Sequence, residues 1–236
     1  MTHYTIPGWY GKLPGSGDFV KRRFPDVLYQ QWSHWFQVGL HHRHSGEDHT
    51  SSRSFLNAPI WNFVVPPMFG SQLIQMGCLA PSCDRVGRHY PLCVVRAFTP
   101  TEWSSMQLTS AGDWYRQVGN VLMQMVKNGS AAEQLDQILV TIPQVPVLED
   151  ESGQSDILAV IGAGKTTSTL NWQRPGESFD PRFQTSFWWT NQCDGFPLYT
   201  QIHSGNFTAQ LFSLLFDPAG GATPGRNGLY PPMFEF

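Results

Sequence analysis

The chain has 236 residues and a mass of 26.6 kDa, a length that allows one large domain or two small ones. Charged residues make up 14% of it and aromatic residues another 14%, which excludes disorder throughout, because disordered chains carry many charges and few aromatic rings. The formal net charge of -3 offers no basic surface, so the composition argues against nucleic-acid binding and against docking to anionic membranes.

The beginning of the sequence predicts a cytoplasmic protein. Residues 1–9 show neither the basic segment nor the apolar segment of a secretory signal. No stretch reaches the ~18 consecutive apolar residues that a membrane span requires, so membrane insertion is not expected. Four cysteines are too few for a disulfide scaffold, and their apolar surroundings are typical of reduced, buried thiols.

The first elements of the chain are a strand, a loop and a helix. Glycine and proline alternate with aromatic residues over residues 7–19, which predicts a short strand leading into a shaped loop. From Pro25 onward, apolar side chains recur every three or four residues and predict an amphipathic helix over 25–42. The polar run over 41–53 lacks such a period and indicates a surface loop.

The middle of the sequence predicts three neighbouring strands, since apolar and β-branched runs at 61–65, 73–81 and 92–98 are bounded by proline and polar residues. A helix over 113–127 follows and ends before Gly129. Ser130 and Glu133 have the spacing of a capping box that opens another helix reaching residue 139. The remaining predicted elements are strands at 157–161, 187–190 and 198–203, a helix at 206–216, and loops at 143–154 and 174–182.

Strands and helices are interspersed without an internal repeat or a linker, which favours a single α/β domain over residues 1–216. We expect a mixed central sheet with helices packed on both faces, an αβα sandwich. Residues 217–236 form a Gly/Pro-rich tail with several aromatic side chains. Docking of this tail on its own domain is the favoured outcome, and capture of a partner is the alternative.

The segment from Gly162 to Thr167 resembles a phosphate-binding loop, because it follows an apolar run and ends in Gly-Lys-Thr-Thr. The first glycine of that motif is replaced by Ala159, and the β-branched residues that follow do not predict the required helix. A hairpin turn is the better interpretation. A small-molecule or nucleotide-binding enzyme using this loop remains the alternative function.

Two groups of potential metal ligands are better explained without a metal ion. The spacing of Cys78, Cys83, His89 and Cys93 differs from the short knuckles of zinc sites and predicts core thiols beside a loop histidine. The histidines between residues 41 and 49 suit a solvated loop. Ser16 lacks the setting of a nucleophile elbow and no apolar pocket with paired carboxylates is evident, so no catalytic residue, metal or cofactor is predicted.

The loop over residues 81–92, PSCDRVGRHYPL, gathers charges in a chain that has few. One interpretation is structural, with Asp84 paired to Arg85 or Arg88 to fix the connection between two strands. The other is a loop that binds an anionic group or a partner, because exposed guanidinium groups suit carboxylate and phosphate. We expect Arg85 to be the structural clamp and Arg88 the binding residue.

This loop, the segment GWYGKLPGSGDFV at 8–20, the helix bearing Trp32 and Trp35, and SFWWT at 186–190 together resemble the TagF (ImpM) family of type VI secretion-associated proteins. The resemblance implies a non-catalytic cytoplasmic α/β protein that negatively regulates assembly or firing of the secretion machine after translation. It also implies partnership with a forkhead-associated scaffold protein.

The resemblance brings no assigned binding residues with it. From the charges of the two loops we predict that residues 11–19 and 82–88 lie close together, because scarce charges tend to be paired where they are partly buried. The candidate binding residues are Lys12, Asp18, Phe19, Asp84, Arg85 and Arg88. The oligomeric state is not indicated by the sequence.

Overall fold

The computed structural model describes residues 6–44, 55–68, 70–145, 169–190, 197–218 and 223–224. They form an eight-stranded sheet in the order β2-β1-β5-β4-β3-β6-β7-β8, with helices on both faces. The strands are β1 Gly8–Gly11, β2 Val20–Arg22, β3 Trp61–Val65, β4 Ile74–Ala80, β5 Leu92–Phe98, β6 Thr185–Thr190, β7 Tyr199–Ser204 and β8 Thr223–Pro224. The helices are α1 Asp26–His44, α2 Ser105–Thr109, α3 Gly112–Lys127, α4 Ala132–Thr141, α5 Arg174–Ser178 and α6 Ala209–Phe216.

Strands β3, β4 and β5 form the centre of the sheet, and every one of their residues is buried. Continuous burial requires cover on both faces, which explains why these segments are nearly uninterrupted apolar runs. The three predicted strands are confirmed, and they are neighbours as expected, since β4 pairs with both β3 and β5.

Each face of the sheet carries its own apolar core. On one face α1 and α6 pack together around Trp32, Phe36 and Phe212. On the other face α3 and α4 enclose residues such as Trp114 and Leu135. Because both faces are covered by helices, the predicted α/β sandwich is confirmed.

The strand directions differ from expectation, since every pairing in the sheet is antiparallel. The predicted mixed sheet therefore has no parallel pair among the described strands. The described residues of the connections from β3 to β4 and from β4 to β5 include no helix that could carry the chain back to the end of the sheet where the strand began. Consecutive strands therefore run in opposite directions.

Helices α1, α3 and α6 and strands β6 and β7 lie within a few residues of their predicted positions. The predicted capping box at the start of α4 is wrong: Ala131 is the N-cap residue, and the Gln134 side chain accepts a hydrogen bond from its backbone N–H at 3.2 Å. The predicted loop at 174–182 includes the short helix α5. Strand β2 and helix α2 were not predicted, because both are short and largely polar.

Several predictions concern segments that the structure does not describe, or describes only in part. The strand at 157–161, the Gly162 to Thr167 segment and most of the tail lie outside the described residues. Within the tail, β8 pairs with β7 along the edge of the sheet. The boundary at residue 216 stays a prediction. Among the described helices, none combines the length and apolar character needed to cross a membrane.

Candidate functional site

Two loops meet at one end of the sheet. Residues 12–19 connect β1 to β2, and residues 81–91 connect β4 to β5. Because Gly11 at the end of β1 pairs with Leu92 at the start of β5, both loops leave from the same place. The backbones approach so closely here that a side chain on Gly11 would lie 2.1 Å from the Pro91 carbonyl oxygen, which requires glycine.

Hydrogen bonds fasten the two loops to each other. The Arg85 N–H donates to the Ser16 carbonyl at 3.0 Å, and the Ser82 hydroxyl donates to the Lys12 carbonyl at 2.8 Å. The Arg88 Nη2 makes a longer contact of 3.4 Å to the Gly17 carbonyl. The prediction that the loops lie close together is confirmed, and we call residues 11–19 and 82–88 the loop junction.

Asp84 lies at the centre of the loop junction, with a side chain that is 0% exposed. Its Oδ2 accepts hydrogen bonds from Lys12 Nζ at 2.9 Å and from Arg88 Nε at 2.6 Å. Its Oδ1 accepts from the backbone N–H groups of Val86 at 3.1 Å and Arg88 at 2.9 Å. Two cations and two backbone amides therefore satisfy both carboxylate oxygens.

These contacts decide the ionisation of Asp84. Burial opposes the charged carboxylate, but hydrogen bonds from Lys12, from the Arg88 backbone and side chain, and from the Val86 backbone outweigh it and hold the pKa of Asp84 well below its ordinary value. The turn that supplies the amides depends on Gly87, whose φ of +83° lies in the left-handed region. Asp84 is thus an ionised, structural residue that links the two loops inside the loop junction.

Aromatic rings support the junction from below. The ammonium group of Lys12 lies 4.7 Å from the centre of the Phe19 ring, and that ring packs edge-on against Tyr90 at 4.7 Å. The hydroxyls of Tyr10 and Tyr90 are 2.7 Å apart, and burial raises the pKa of Tyr10 to about 12. Phe19 is consequently held in place although it is 49% exposed.

The outward side of the junction consists of Asp18, Phe19, Arg85, Val86 and Arg88, which we call the junction surface. Val86 is 72% exposed, and the Arg88 side chain is 65% exposed even while it binds Asp84. Asp18 accepts a hydrogen bond from the Phe19 N–H at 2.7 Å. The sequence analysis missed Val86, although an apolar residue inside a charged, glycine-containing turn was a usable signal.

The expectation that Arg85 is the structural clamp is wrong, and the binding role expected of Arg88 stays a prediction. Arg88 is the clamp, because it reaches Asp84 through Nε and its own backbone N–H. Arg85 is exposed, and within the described part of the chain no carboxylate lies within ion-pair distance of it. Lys12 and Asp84 are buried, so a partner cannot reach them directly. The binding roles of the candidate residues stay predictions.

Cys78 and Cys93, two residues of the metal hypothesis, belong to the apolar cores on opposite faces of the sheet. The Cys78 thiol is buried, and the Asn62 side-chain oxygen and the Tyr115 carbonyl oxygen are both within reach of its single proton. His89 stacks against Phe55 with ring centres 5.2 Å apart. Among the described residues, no three acidic, histidine or cysteine side chains are grouped so that they hold a metal ion.

Comparison with known proteins places the two loops in one matched region. Residues 8–142 match the TagF N-terminal domain family, described as type VI secretion system-associated. The fold is similar to the crystal structure of PA0076 from Pseudomonas aeruginosa PAO1, with a TM-score of 0.65 and 21% identity over 93% of this chain and 97% of that chain. At this identity the likeness shows the fold alone. No match was found among curated proteins.

Proposed function

Because the chain belongs to the TagF N-terminal domain family, which is type VI secretion system-associated, we propose that it is a non-catalytic cytoplasmic regulator of that system. It restrains assembly or firing of the secretion machine after translation by binding another component, for which a forkhead-associated scaffold protein is the proposed partner. The junction surface is the proposed binding site. The observation that carries this proposal is an exposed surface held rigid by a buried ion-pair cluster.

The rigidity of the junction surface favours binding. Arg88 is held by Asp84, and the Phe19 ring contacts both Lys12 and Tyr90. Side chains that are ordered before binding lose less entropy when a partner docks, so more of the contact energy contributes to affinity.

The composition of the junction surface also favours a protein partner. Arginine and aromatic residues are enriched at the energetic centres of interfaces, whereas lysine, glutamate, aspartate and valine are under-represented. The two arginines and the phenylalanine of the junction surface belong to the enriched classes. The exposed side chains here are two arginines, one phenylalanine, one valine and one aspartate. Arg85 is the best candidate for a contact residue, because its guanidinium is exposed and the described fold does not use it in an ion pair.

The test is binding of the purified scaffold to the full chain and to Arg85→Ala. We expect Arg85→Ala to weaken the complex by about 1 to 3 kcal/mol, the range of an interface arginine, with unchanged urea unfolding. Cells carrying the variant should secrete more through the type VI system. The matched control is Arg182→Ala, which removes an arginine that is 85% exposed on another loop.

The proposal fails if Arg85→Ala and Arg182→Ala bind the scaffold as tightly as the unaltered chain and secretion is unchanged in both strains. It also fails if deletion of the protein leaves secretion at its original level. A loss of binding in both variants would indicate a general electrostatic effect and not a contact at the junction surface.

A further inference from the structure

The charges of the loop junction do not cancel. Lys12, Arg85 and Arg88 contribute three positive charges, and Asp18 and Asp84 contribute two negative ones, so this region carries +1 on a chain whose formal net charge is -3. The buried Asp84 is already neutralised by Lys12. The charge that reaches the surface is therefore mainly that of the two arginines, with Asp18 beside them.

Two apolar side chains accompany these arginines. Phe19 and Val86 are among the few large hydrophobic residues that the described fold leaves exposed, and they lie on the two loops that the Arg85–Ser16 and Arg88–Gly17 hydrogen bonds hold together. The Val86 backbone is fixed by the hydrogen bond that its N–H donates to the Asp84 side chain. The junction surface thus presents a basic group and an apolar group from the same rigid element.

Resting on the proposed function, we propose that the junction surface binds an acidic segment of its protein partner that also carries a large apolar side chain. The segment's carboxylates accept hydrogen bonds from Arg85 and from the outer guanidinium nitrogens of Arg88. Its apolar side chain packs against Phe19 and Val86. Asp84 orients the Arg88 side chain before binding, so little side-chain entropy is lost when its planar guanidinium donors meet a carboxylate.

Asp18 limits the charge of the ligand. Its exposed carboxylate lies one residue from Phe19 and opposes a second negative group placed nearby. A polyanion such as nucleic acid requires many cations along its backbone, whereas this surface offers two arginines and one aspartate. A segment with a few carboxylates around an apolar residue fits this arrangement, and Asp18 selects its register by repulsion.

The experiment uses an array of short overlapping peptides that tile the forkhead-associated scaffold and the other type VI components of the host, probed with the labelled full chain. Bound peptides should combine at least two carboxylates with an aliphatic or aromatic residue. Binding to them should fall at least tenfold in Arg85→Glu and about threefold in Val86→Ser, and should weaken as salt is raised. Asp18→Asn should bind about two- to threefold more tightly.

Arg182→Glu is the matched control, since it changes the net charge by the same amount at another exposed arginine. It should leave peptide binding within about twofold of the unaltered chain. Intact unfolding curves for Arg85→Glu and Val86→Ser exclude misfolding, and neither side chain forms part of the buried cluster.

Three results overturn the inference: bound peptides that are neutral or basic, equal loss in Arg85→Glu and Arg182→Glu, or no bound peptide at all. The proposed function has a separate outcome. If the intact scaffold binds and Arg85→Ala weakens it while no acidic peptide binds, the regulatory proposal stands and the acidic-segment inference falls. If an acidic peptide from another component binds and the scaffold does not, the inference stands and the scaffold partnership falls.

Discussion

Asp84 and Arg96 are both charged and buried, but under very different conditions. In the loop junction, Asp84 receives four hydrogen bonds and two cations. In the middle of β5, Arg96 is 3% exposed, and its Nε and Nη1 have no hydrogen-bond partner in the described part of the structure. Its guanidinium carbon lies 4.8 Å from the centre of the Phe98 ring, over the face of that ring.

The difference appears in the ionisation of the two groups. Burial disfavours the charge of both, but for Asp84 the hydrogen bonds reverse its effect on the pKa. For Arg96, burial lowers the pKa to about 10, and the charge of Glu102 opposes that shift only in part. Arg96 therefore remains protonated at neutral pH in surroundings that disfavour its charge, whereas Asp84 lies in surroundings that favour its charge.

The position in the fold explains the contrast. A tight turn directs backbone N–H groups inward, and Asp84 uses those of Val86 and Arg88. In a central strand, the backbone groups are occupied by the neighbouring strands, here β1 and β4 on either side of β5. A buried charge in a turn can thus be satisfied locally, while one in a central strand depends on side chains from the covering layer.

The largest effect on stability is expected for Lys12→Met, compared with the unaltered chain. Removing one partner of a buried ion pair is expected to cost about 3 kcal/mol or somewhat more, because Asp84 keeps Arg88 and two amides but loses its buried cation. The free energy of urea unfolding measures the effect. Lys127→Met, at an exposed lysine, is the control and should change stability by less than ~0.5 kcal/mol. Equal effects in the two variants would contradict the proposed role of Lys12.

Arg88→Ala should have the next largest effect. Its side chain is mostly exposed, so loss of the Nε bond to Asp84 is expected to cost about 1 to 2 kcal/mol, less than loss of Lys12. Arg85→Ala is the matched control from the same turn and should cost less than ~0.5 kcal/mol. If Arg85→Ala is the more destabilising of the two, the assignment of Arg88 as the clamp is wrong.

Acid should weaken the loop junction selectively. A carboxylate whose folded pKa is depressed stabilises the fold above its unfolded pKa of about 4, and this contribution is lost as the pH falls toward the folded value. The stability difference between the unaltered chain and Asp84→Asn should therefore shrink from pH 7 to pH 3. Asp136 and Asp180 also have lowered pKa values, but both residues are present in the unaltered chain and in Asp84→Asn. Their contributions therefore cancel in the stability difference. A difference that is constant with pH would refute this account.

The smallest expected effect is that of Arg96→Met, and its sign is the sharpest test. Methionine removes a buried charge with unsatisfied nitrogens and keeps most of the side-chain volume, so stability should stay the same or rise by up to ~2 kcal/mol. Substitution by methionine is thus expected to destabilise the fold at Lys12 and to be tolerated at Arg96. A loss of more than ~1 kcal/mol, measured by urea unfolding, would show that Arg96 has stabilising partners.

Much of the fold follows from local pattern. The apolar runs of β3, β4 and β5 and the helical spacing of α1 and α3 identify these elements within a few residues, since burial of one face or both imposes its period on the sequence. Strand β2 escaped prediction because its three residues are two basic side chains and a valine at the edge of the sheet. Nothing local distinguishes such a segment from a loop.

The sequence by itself determined the two loops, their scarce charges and the resemblance that led to the family. Only the tertiary structure decided that Arg88 and not Arg85 binds Asp84, and that Lys12 is buried with them. It also decided that Nε and Nη1 of Arg96 have no hydrogen-bond partner among the described residues. The physical reason is that periodicity is a property of neighbouring residues, whereas these contacts depend on the pairing of Gly11 with Leu92 and on the direction in which one turn points its donors.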